Sequence, residues 1–184
     1  MLRPAVSWRS AWTRRSVPPT SWSIMPASSS ASRSTARGPH ENWRQVFDVN
    51  VNGTFNMVHA FIPALRKTHG SIINVASVAA FGGMNGALGY SPSKGAVRLF
   101  TQALARDLAP DGIRVNAVAP GIIATEMSES TRDNPTRLSG LMARTPTKRV
   151  GQPDEIAGPV IFLASAMASY VNGVILPVDG GYLA

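Results

Sequence analysis

No cysteine occurs among the 184 residues of this sequence. Its absence excludes disulfide scaffolds, cysteine-ligated zinc sites and thiol nucleophiles. Histidine is scarce, and His40, His59 and His69 are too far apart in sequence to predict a histidine-ligated metal site. Charged or polar residues also interrupt every apolar run before it reaches the length of a membrane span. We therefore expect a soluble, cytoplasmic protein with no metal and no membrane partner.

Acidic residues are absent from residues 1–40, although the whole chain carries ten of them. Six arginines give residues 1–40 a charge of +6, whereas 12 basic and ten acidic side chains leave residues 41–184 at +2. A basic balance often indicates nucleic acid, but here it belongs to one segment, so we expect no nucleic-acid partner. A nucleic-acid-binding tail is the least favoured of three hypotheses, and it would predict steep salt dependence.

Residues 1–38 are rich in serine, proline and arginine and show neither a helical nor a strand period. Such a segment cannot bury a continuous apolar face, which predicts disorder. The composition is also compatible with an organellar transit peptide or a basic nucleic-acid arm. Three tryptophans and the pair Pro18-Pro19 fit neither class well.

From residue 39 onward, strand-like and helix-like segments alternate. Helices are expected over 41–67, 90–108 and 153–164, strands over 71–76, 113–119 and 173–178, and a polar flap over 128–149. This alternation predicts an α/β fold with a doubly wound, Rossmann-like parallel sheet covered by helices on both faces. In such sheets the chemistry gathers at the carboxyl ends of the strands.

Three side chains at one such end could carry out a proton transfer. Ser77 follows the strand at 71–76, Tyr90 opens the next helix, and Lys94 lies one turn further on the same helix face. A free tyrosine has a pKa of about 10, which a neighbouring ammonium would lower by stabilising the phenolate. A Tyr-x-x-x-Lys pair alone more often marks an exposed helix face. Ser77, whose hydroxyl could hold a substrate oxygen, shifts the balance towards a site for an alcohol–ketone pair.

On these residues, the sequence from Gly38 to Ala184 resembles the short-chain dehydrogenase/reductase family. Tyr90-Ser-Pro-Ser-Lys94 is similar to the family's Tyr-x-x-x-Lys motif, and Ser77 to its substrate-orienting serine. Asn50 is similar to the asparagine of the family's W…vNv.G.f helix, and a mid-helix asparagine also predicts a local kink. The resemblance implies that Tyr90 is the acid/base, that Lys94 binds the nicotinamide ribose, and that Asn50 anchors a water of a proton relay.

A second segment, Asn116-Ala-Val-Ala-Pro-Gly-Ile-Ile-Ala-Thr125, is similar to the family's N-x-x-x-P-G-x-x-x-T sequence. The resemblance implies NAD or NADP as the cofactor and a small carbonyl or alcohol as the substrate. It also implies a homo-oligomer, either a dimer or a tetramer. The residues it places around the nicotinamide end are Tyr90, Lys94, Pro120, Gly121, Ile123 and Thr125.

The sequence has no Gly-rich turn of the T-G-x-x-x-G-x-G type, which in this family holds the cofactor pyrophosphate. The family's N-N-A-G sequence is also absent. We therefore expect only the C-terminal half of the family's sheet, with about three strands and with the strand at 71–76 on an exposed edge. We also expect weak nicotinamide binding.

Residues 1–38 have a second explanation at the level of the gene. The codons permitted for Thr20 to Ser28, read one nucleotide earlier, can encode DVLVNNAGI, which resembles the family's fourth strand and its N-N-A-G motif. We hypothesise that residues 1–38 are an out-of-frame segment and that residues 39–184 are the C-terminal portion of the family's domain. A nucleotide sequence that cannot encode DVLVNNAGI in that frame would contradict this hypothesis.

Two functional hypotheses are favoured over nucleic-acid binding. In the first, the chain is an NAD(P)-dependent oxidoreductase that transfers hydride between nicotinamide and an alcohol or ketone, with Tyr90 as acid/base. In the second, it is a non-catalytic fragment that acts only through dimerisation with itself or with a paralogue. Cofactor-dependent turnover separates the two. The identity of the substrate, the choice of NAD or NADP and the reaction direction stay open at this point.

Overall fold

The structure, a computed structural model, describes residues 21–24 and 39–184. Its strands are β1 Ser21–Ile24, β2 Ser71–Val75, β3 Arg114–Pro120 and β4 Ile175–Val178. Its α-helices are α1 Pro39–Phe47, α2 Gly53–Thr68, α3 Tyr90–Asp107, α4 Glu129–Arg132, α5 Pro135–Arg144 and α6 Asp154–Ala164. A π-helical turn, Asp48–Asn52, joins α1 to α2.

The four strands of this part of the chain form one parallel sheet in the order β1-β2-β3-β4. The central pair, β2 and β3, is in register from Ser71 opposite Arg114 to Val75 opposite Val118. Parallel neighbours need a crossover connection, and α2, α3 and α6 supply the helices in these connections. The predicted α/β fold with a parallel sheet is therefore confirmed.

Helices cover both faces of the central strands. On one face, Ile72 and Val115 pack in a buried cluster with side chains of α2 and α3. On the other face, Ile73 and Val118 pack against Leu163 of α6. Because successive side chains of a strand point to opposite faces, burial on both sides requires the nearly continuous apolar runs seen in β2 and β3.

Residues 21–24 contradict two predictions, namely that residues 1–38 are disordered and that the sheet has about three strands. Ser21–Ile24 forms a strand and pairs in parallel with residues 71–74 of β2, so the sheet gains a fourth strand and β2 is not at its edge. Parallel pairing uses backbone groups only, so a short segment without an apolar period can still add to an open strand edge. The rest of the predicted disordered, out-of-frame segment lies outside the described residues.

Two further segments differ from their predicted form. The single helix expected over 41–67 is divided by the π-helical turn that contains Asn50, where the sequence predicts a kink. A π-helical turn inserts an extra residue into the helical repeat, and such turns are frequent at functional sites. The flap expected over 128–149 contains two helices, α4 and α5. Asn134 caps α5 by accepting a hydrogen bond from Arg137 N at 3.0 Å.

The packing predicts a clear contrast between two isoleucines. Ile72 is fully buried in β2, whereas Ile161 of α6 is 67% exposed. We expect Ile72→Ala to lower the free energy of unfolding by about 2–5 kcal/mol because it leaves a cavity. We expect Ile161→Ala to change it by no more than about 0.5 kcal/mol. Urea unfolding of both variants checks this, and equal losses would contradict the described core.

Candidate functional site

The site lies where β2 and β3 end. Ala76, the residue after β2, donates its backbone N–H to Val118 O of β3 at 2.9 Å, so pairing continues to the residue before Ser77. Ser77 then caps a short 3₁₀ turn, Val78–Ala80, by accepting a hydrogen bond from Ala79 N at 3.1 Å. The backbone of Ser77 is thus fixed on both sides at the carboxyl edge of the sheet.

Tyr90 is the first residue of α3, and its side chain is hydrogen-bonded to that of Ser77. The structure therefore brings together two residues that are 13 positions apart in sequence. Burial raises the pKa of Tyr90 above its ordinary value, and the hydrogen bond from Ser77 opposes this effect without cancelling it. At neutral pH the Tyr90 hydroxyl is protonated in this structure.

Lys94 is the most deeply buried cation of the site, at 1% exposure. Its Nζ donates to Val75 O at 2.8 Å and lies 5.8 Å from the centroid of the Tyr90 ring. Burial lowers the pKa of Lys94 to about 8. The sequence predicts that Lys94 lowers the pKa of Tyr90, whereas in this structure the pKa of Tyr90 is raised. The ammonium bonds to the Val75 carbonyl, and burial dominates the environment of the phenol.

Asn50 is connected to α3, the helix that carries Tyr90 and Lys94, through a hydrogen bond to Ser93. It is fully buried in the π-helical turn, and its Nδ2 donates to Ser93 Oγ at 3.0 Å. Ser93 Oγ in turn donates to Tyr90 O at 2.7 Å. The backbone carbonyl of Asn50 accepts a hydrogen bond from Thr54 Oγ1 at 2.7 Å. Ser93 was missed by the sequence analysis, and its place one residue before Lys94, on the helix that begins at Tyr90, was the available signal.

The residues predicted to surround the nicotinamide end of the cofactor, Pro120 to Thr125, lie at and after the end of β3. Pro120 is the last residue of that strand, and Gly121 donates its N–H to Val178 O of β4 at 3.0 Å. A Cβ on Gly121 would lie 2.9 Å from Asp179 Cα, so only glycine fits this close approach. Ile123 then pairs with Gly151 in an isolated parallel bridge.

Thr125 closes this loop with a capping box. Its side chain accepts a hydrogen bond from Ser128 N, and Ser128 Oγ accepts one from Thr125 N at 3.2 Å. Thr125 is exposed, so its hydroxyl hydrogen can reach an acceptor outside the protein. Thr125 and Tyr90 both lie at the carboxyl edge of the sheet, on the loop after β3 and at the start of α3.

Other kinds of site find no support in the described residues. They contain no group of three or more metal-ligating side chains. None of the described helices is long and apolar enough to cross a membrane. The loop between Ser77 and Tyr90 lines a shallow, mainly apolar recess, whose walls include Ala80, Phe81 and Leu88.

The buried lysine makes the stability depend on pH. The folded-state pKa of Lys94, about 8, lies below its ordinary value of 10.5, so the unfolded chain binds more protons between these pH values. Stability from this group therefore rises from pH 8 to pH 10.5. The difference corresponds to about 3 kcal/mol. We expect Lys94→Met to lose this rise, and we expect Lys67→Met, at an exposed position, to keep it. Urea unfolding at pH 7.5 and 10 measures both, and an identical pH dependence in the two variants would contradict the described burial.

The comparison with known proteins supports one family. Residues 21–183 match a family described as enoyl-(acyl carrier protein) reductase, and the match begins where β1 begins. The chain is 47% identical over 146 residues to the cyclopentanol dehydrogenase of Comamonas testosteroni. It is 44% identical to the 2-dehydro-3-deoxy-D-gluconate 5-dehydrogenase of Bacillus subtilis. Each alignment covers 79% of this chain and 58% of the relative, so the chain spans less than two thirds of their length.

Solved structures agree with this result. A gluconate 5-dehydrogenase from Burkholderia cenocepacia, in complex with NADP and tartrate, superposes with a TM-score of 0.76 at 38% identity. The alignment covers 80% of this chain and 58% of that one. A 3-oxoacyl-[acyl-carrier protein] reductase from Brucella melitensis superposes with a TM-score of 0.73 at 36% identity, over 90% of this chain and 58% of that one.

Proposed function

The chain belongs to the short-chain dehydrogenase/reductase family, and on that premise we propose that it carries the proton-transfer site of a nicotinamide-dependent oxidoreductase for an alcohol–ketone pair. The observation that carries the proposal is the hydrogen bond between Ser77 and Tyr90 beside the buried Lys94. A serine hydroxyl, a phenol and a buried ammonium at one sheet edge can hold a substrate oxygen and exchange a proton with it.

Each residue has a distinct role in this proposal. Ser77 holds the reacting oxygen, and Tyr90 gives it a proton in reduction or takes one in oxidation. Because burial raises the pKa of Tyr90, the resting phenol is already in the form that reduction requires. Oxidation requires the phenolate, which Lys94 would stabilise by turning its ammonium from Val75 O towards the ring oxygen.

Asn50 supports the same site from the π-helical turn. Its hydrogen bond to Ser93, and that of Ser93 to Tyr90 O, fix the first turn of α3 relative to α2. We place a water of the proton relay at this turn, as the family resemblance implies. The bound cofactor would supply or accept the hydride, and the residues of this chain handle only the proton and the positions of the groups.

The residues after β3 fit the nicotinamide end of the cofactor. The Thr125 hydroxyl oxygen already accepts from Ser128 N, so its hydrogen would donate to an acceptor such as the carboxamide oxygen. Pro120, Gly121 and Ile123 hold this loop against β4 and Gly151. The gluconate 5-dehydrogenase of Burkholderia cenocepacia was solved in complex with NADP. NAD or NADP is our proposal for this chain.

The adenosine end is the weak part of the binding site. Because the sequence lacks the Gly-rich turn that would hold the pyrophosphate, we expect the 184-residue chain to bind NAD and NADP with dissociation constants well above the micromolar range. Isothermal titration of the purified chain with either cofactor measures this. Micromolar affinity would show that other residues replace the turn.

For the substrate we propose a small ketone or secondary alcohol of low polarity. The recess lined by the loop between Ser77 and Tyr90 has mainly apolar walls, including Phe81 and Leu88. One of the relatives at 47% identity is a cyclopentanol dehydrogenase, so cyclopentanone is the first compound to test. Sugar acids are the second class, because another relative is a 2-dehydro-3-deoxy-D-gluconate 5-dehydrogenase.

A second candidate function is that of a non-catalytic fragment that acts through dimerisation. Phe55 of α2 is 52% exposed and Leu99 of α3 is 65% exposed. Phe55 also lies 6.0 Å from Phe100, between ring centroids, so the two helices present apolar side chains together. An exposed apolar face of this kind favours a homo-oligomer or assembly with a paralogue.

Turnover by tyrosine variants separates these functions. At millimolar NADPH and cyclopentanone, we expect Tyr90→Phe to lower kcat/KM by at least about 100-fold, because the substitution removes the hydroxyl that moves the proton in this proposal. Tyr170→Phe is the matched control, because Tyr170 is fully exposed and should leave kcat/KM unchanged. Equal activity of the wild type and Tyr90→Phe would refute the catalytic role. A wild type that dimerises without turnover would support the fragment instead.

A further inference from the structure

Ser128 is a buried hydroxyl that bonds to the loop predicted to hold the nicotinamide end of the cofactor. Its Oγ lies 2.6 Å from Ile123 O and 3.0 Å from Thr125 O, and it donates its single hydrogen to these carbonyls. The same oxygen accepts the N–H of Thr125 at 3.2 Å. The Ser128 side chain therefore contacts two of the residues, Ile123 and Thr125, that the family resemblance places around the nicotinamide end.

Arg132 adds a second support from α4. Its Nε donates to Ser128 Oγ at 3.0 Å, and its Nη2 donates to Thr125 O at 3.1 Å. A guanidinium with two donors in fixed geometry holds the hydroxyl and the carbonyl at a set separation. Ser128 accepts two hydrogen bonds and donates one, which is the full capacity of a hydroxyl group.

The opposite side of this loop is held by a different element. Ala124 N donates to Gly151 O at 2.8 Å, and Gly151 N donates to Ile122 O at 3.0 Å. These two bonds do not involve Ser128. The loop thus has two independent supports, a backbone bridge to Gly151 and a side-chain cluster at Ser128, and they can be tested separately.

We propose that Ser128 and Arg132 are positioning residues for the nicotinamide end of the cofactor, and that they couple its loop to the flap formed by residues 128–149. This inference rests on the proposed function. Neither residue needs to touch the cofactor. Ser128 fixes the direction of the Thr125 backbone, and Arg132 transmits any displacement of the first flap helix to the Thr125 carbonyl.

The coupling has a consequence for substrate binding. The flap begins at Ser128, three residues after Thr125, and α4 lies within it. A substrate that shifts the flap would move Arg132 and so change its hydrogen bond to the backbone carbonyl of Thr125. Cofactor orientation and substrate binding would then depend on the same three hydrogen-bonded residues, Thr125, Ser128 and Arg132.

Amide exchange, followed by NMR on the 184-residue chain, tests the geometric part. In Ser128→Ala we expect exchange of the Thr125 amide to accelerate by at least about tenfold, because its acceptor is removed. The Ala124 amide should keep its rate, because it bonds to Gly151 O. Ser128→Thr should restore the Thr125 rate. Ser139→Ala, which changes an exposed serine of α5, is the matched control and should alter neither amide.

Ligand binding tests the positioning part, with nicotinamide mononucleotide as the probe. This molecule needs no Gly-rich turn, so saturation-transfer NMR can measure its affinity on this chain. We expect Ser128→Ala to weaken binding by about fivefold to tenfold, with Ser128→Thr and Ser139→Ala close to wild type. A melting temperature measured on each variant separates this local effect from a general loss of stability.

The outcomes are distinct. A faster Thr125 amide together with weaker binding in Ser128→Ala, rescued by Ser128→Thr, supports the inference. An unchanged Thr125 amide overturns it, as does unchanged affinity in a variant whose amide exchange has risen. If the wild type itself does not bind the mononucleotide, the cofactor part of the proposed function fails and the inference fails with it. A wild type that binds and a Ser128→Ala variant that binds equally overturns the inference alone.

Discussion

The parallel pairing of β2 with β3 is the constraint on which the rest of the molecule depends. It aligns the carboxyl ends of both strands and extends to Ala76, so Ser77 leaves the sheet beside the residues that lead to Pro120. The helix that connects the two strands begins with Tyr90, which reaches back to Ser77. The loop after β3 carries Thr125 to the same edge. Without this register, the two groups of predicted site residues would have no common surface.

Burial of charge is the second feature that shapes the site. Lys94 is almost completely buried and bonds to the carbonyl of Val75, at the end of β2. Burial lowers the pKa of Lys94 to about 8 and raises that of Tyr90, so both groups are shifted towards their neutral forms. The shift of Lys94 brings its titration closer to neutral pH, whereas the shift of Tyr90 keeps the phenol protonated.

The sequence was sufficient for the main features of the sheet and for the residues at its edge. Strand-like runs alternating with helix-length segments predicted the parallel sheet, and the spacing of Tyr90 and Lys94 predicted their common helix face. Ser93 and Ser128 were not predicted, because their roles come from contacts with Asn50, Ile123 and Thr125 that sequence spacing does not show. The pKa of Tyr90 was expected to fall, and burial, which no local pattern reveals, reverses the direction.

The strand β1 shows a different limit of sequence analysis. Ser21–Ile24 has no strand pattern of its own, yet it pairs with β2 through backbone groups. Patterns of side chains predict burial and faces, whereas an open strand edge can accept any extended backbone. The same four residues lie within the segment for which the codons permit DVLVNNAGI in another frame, a hypothesis that the nucleotide sequence will decide.

Transfer of an isotopic label tests the central claim, that the residues gathered at the ends of β2 and β3 support nicotinamide-dependent redox chemistry. The purified chain is incubated with cyclopentanone and NADPH that carries deuterium at both hydrogen positions of C4 of the nicotinamide, and the product is examined by mass spectrometry. The account predicts cyclopentanol with one deuterium on the carbinol carbon, formed even when cofactor binding is weak. Recovery of unlabelled ketone alone, from a folded chain and at millimolar cofactor, would contradict the account and leave the dimerising fragment as the better description.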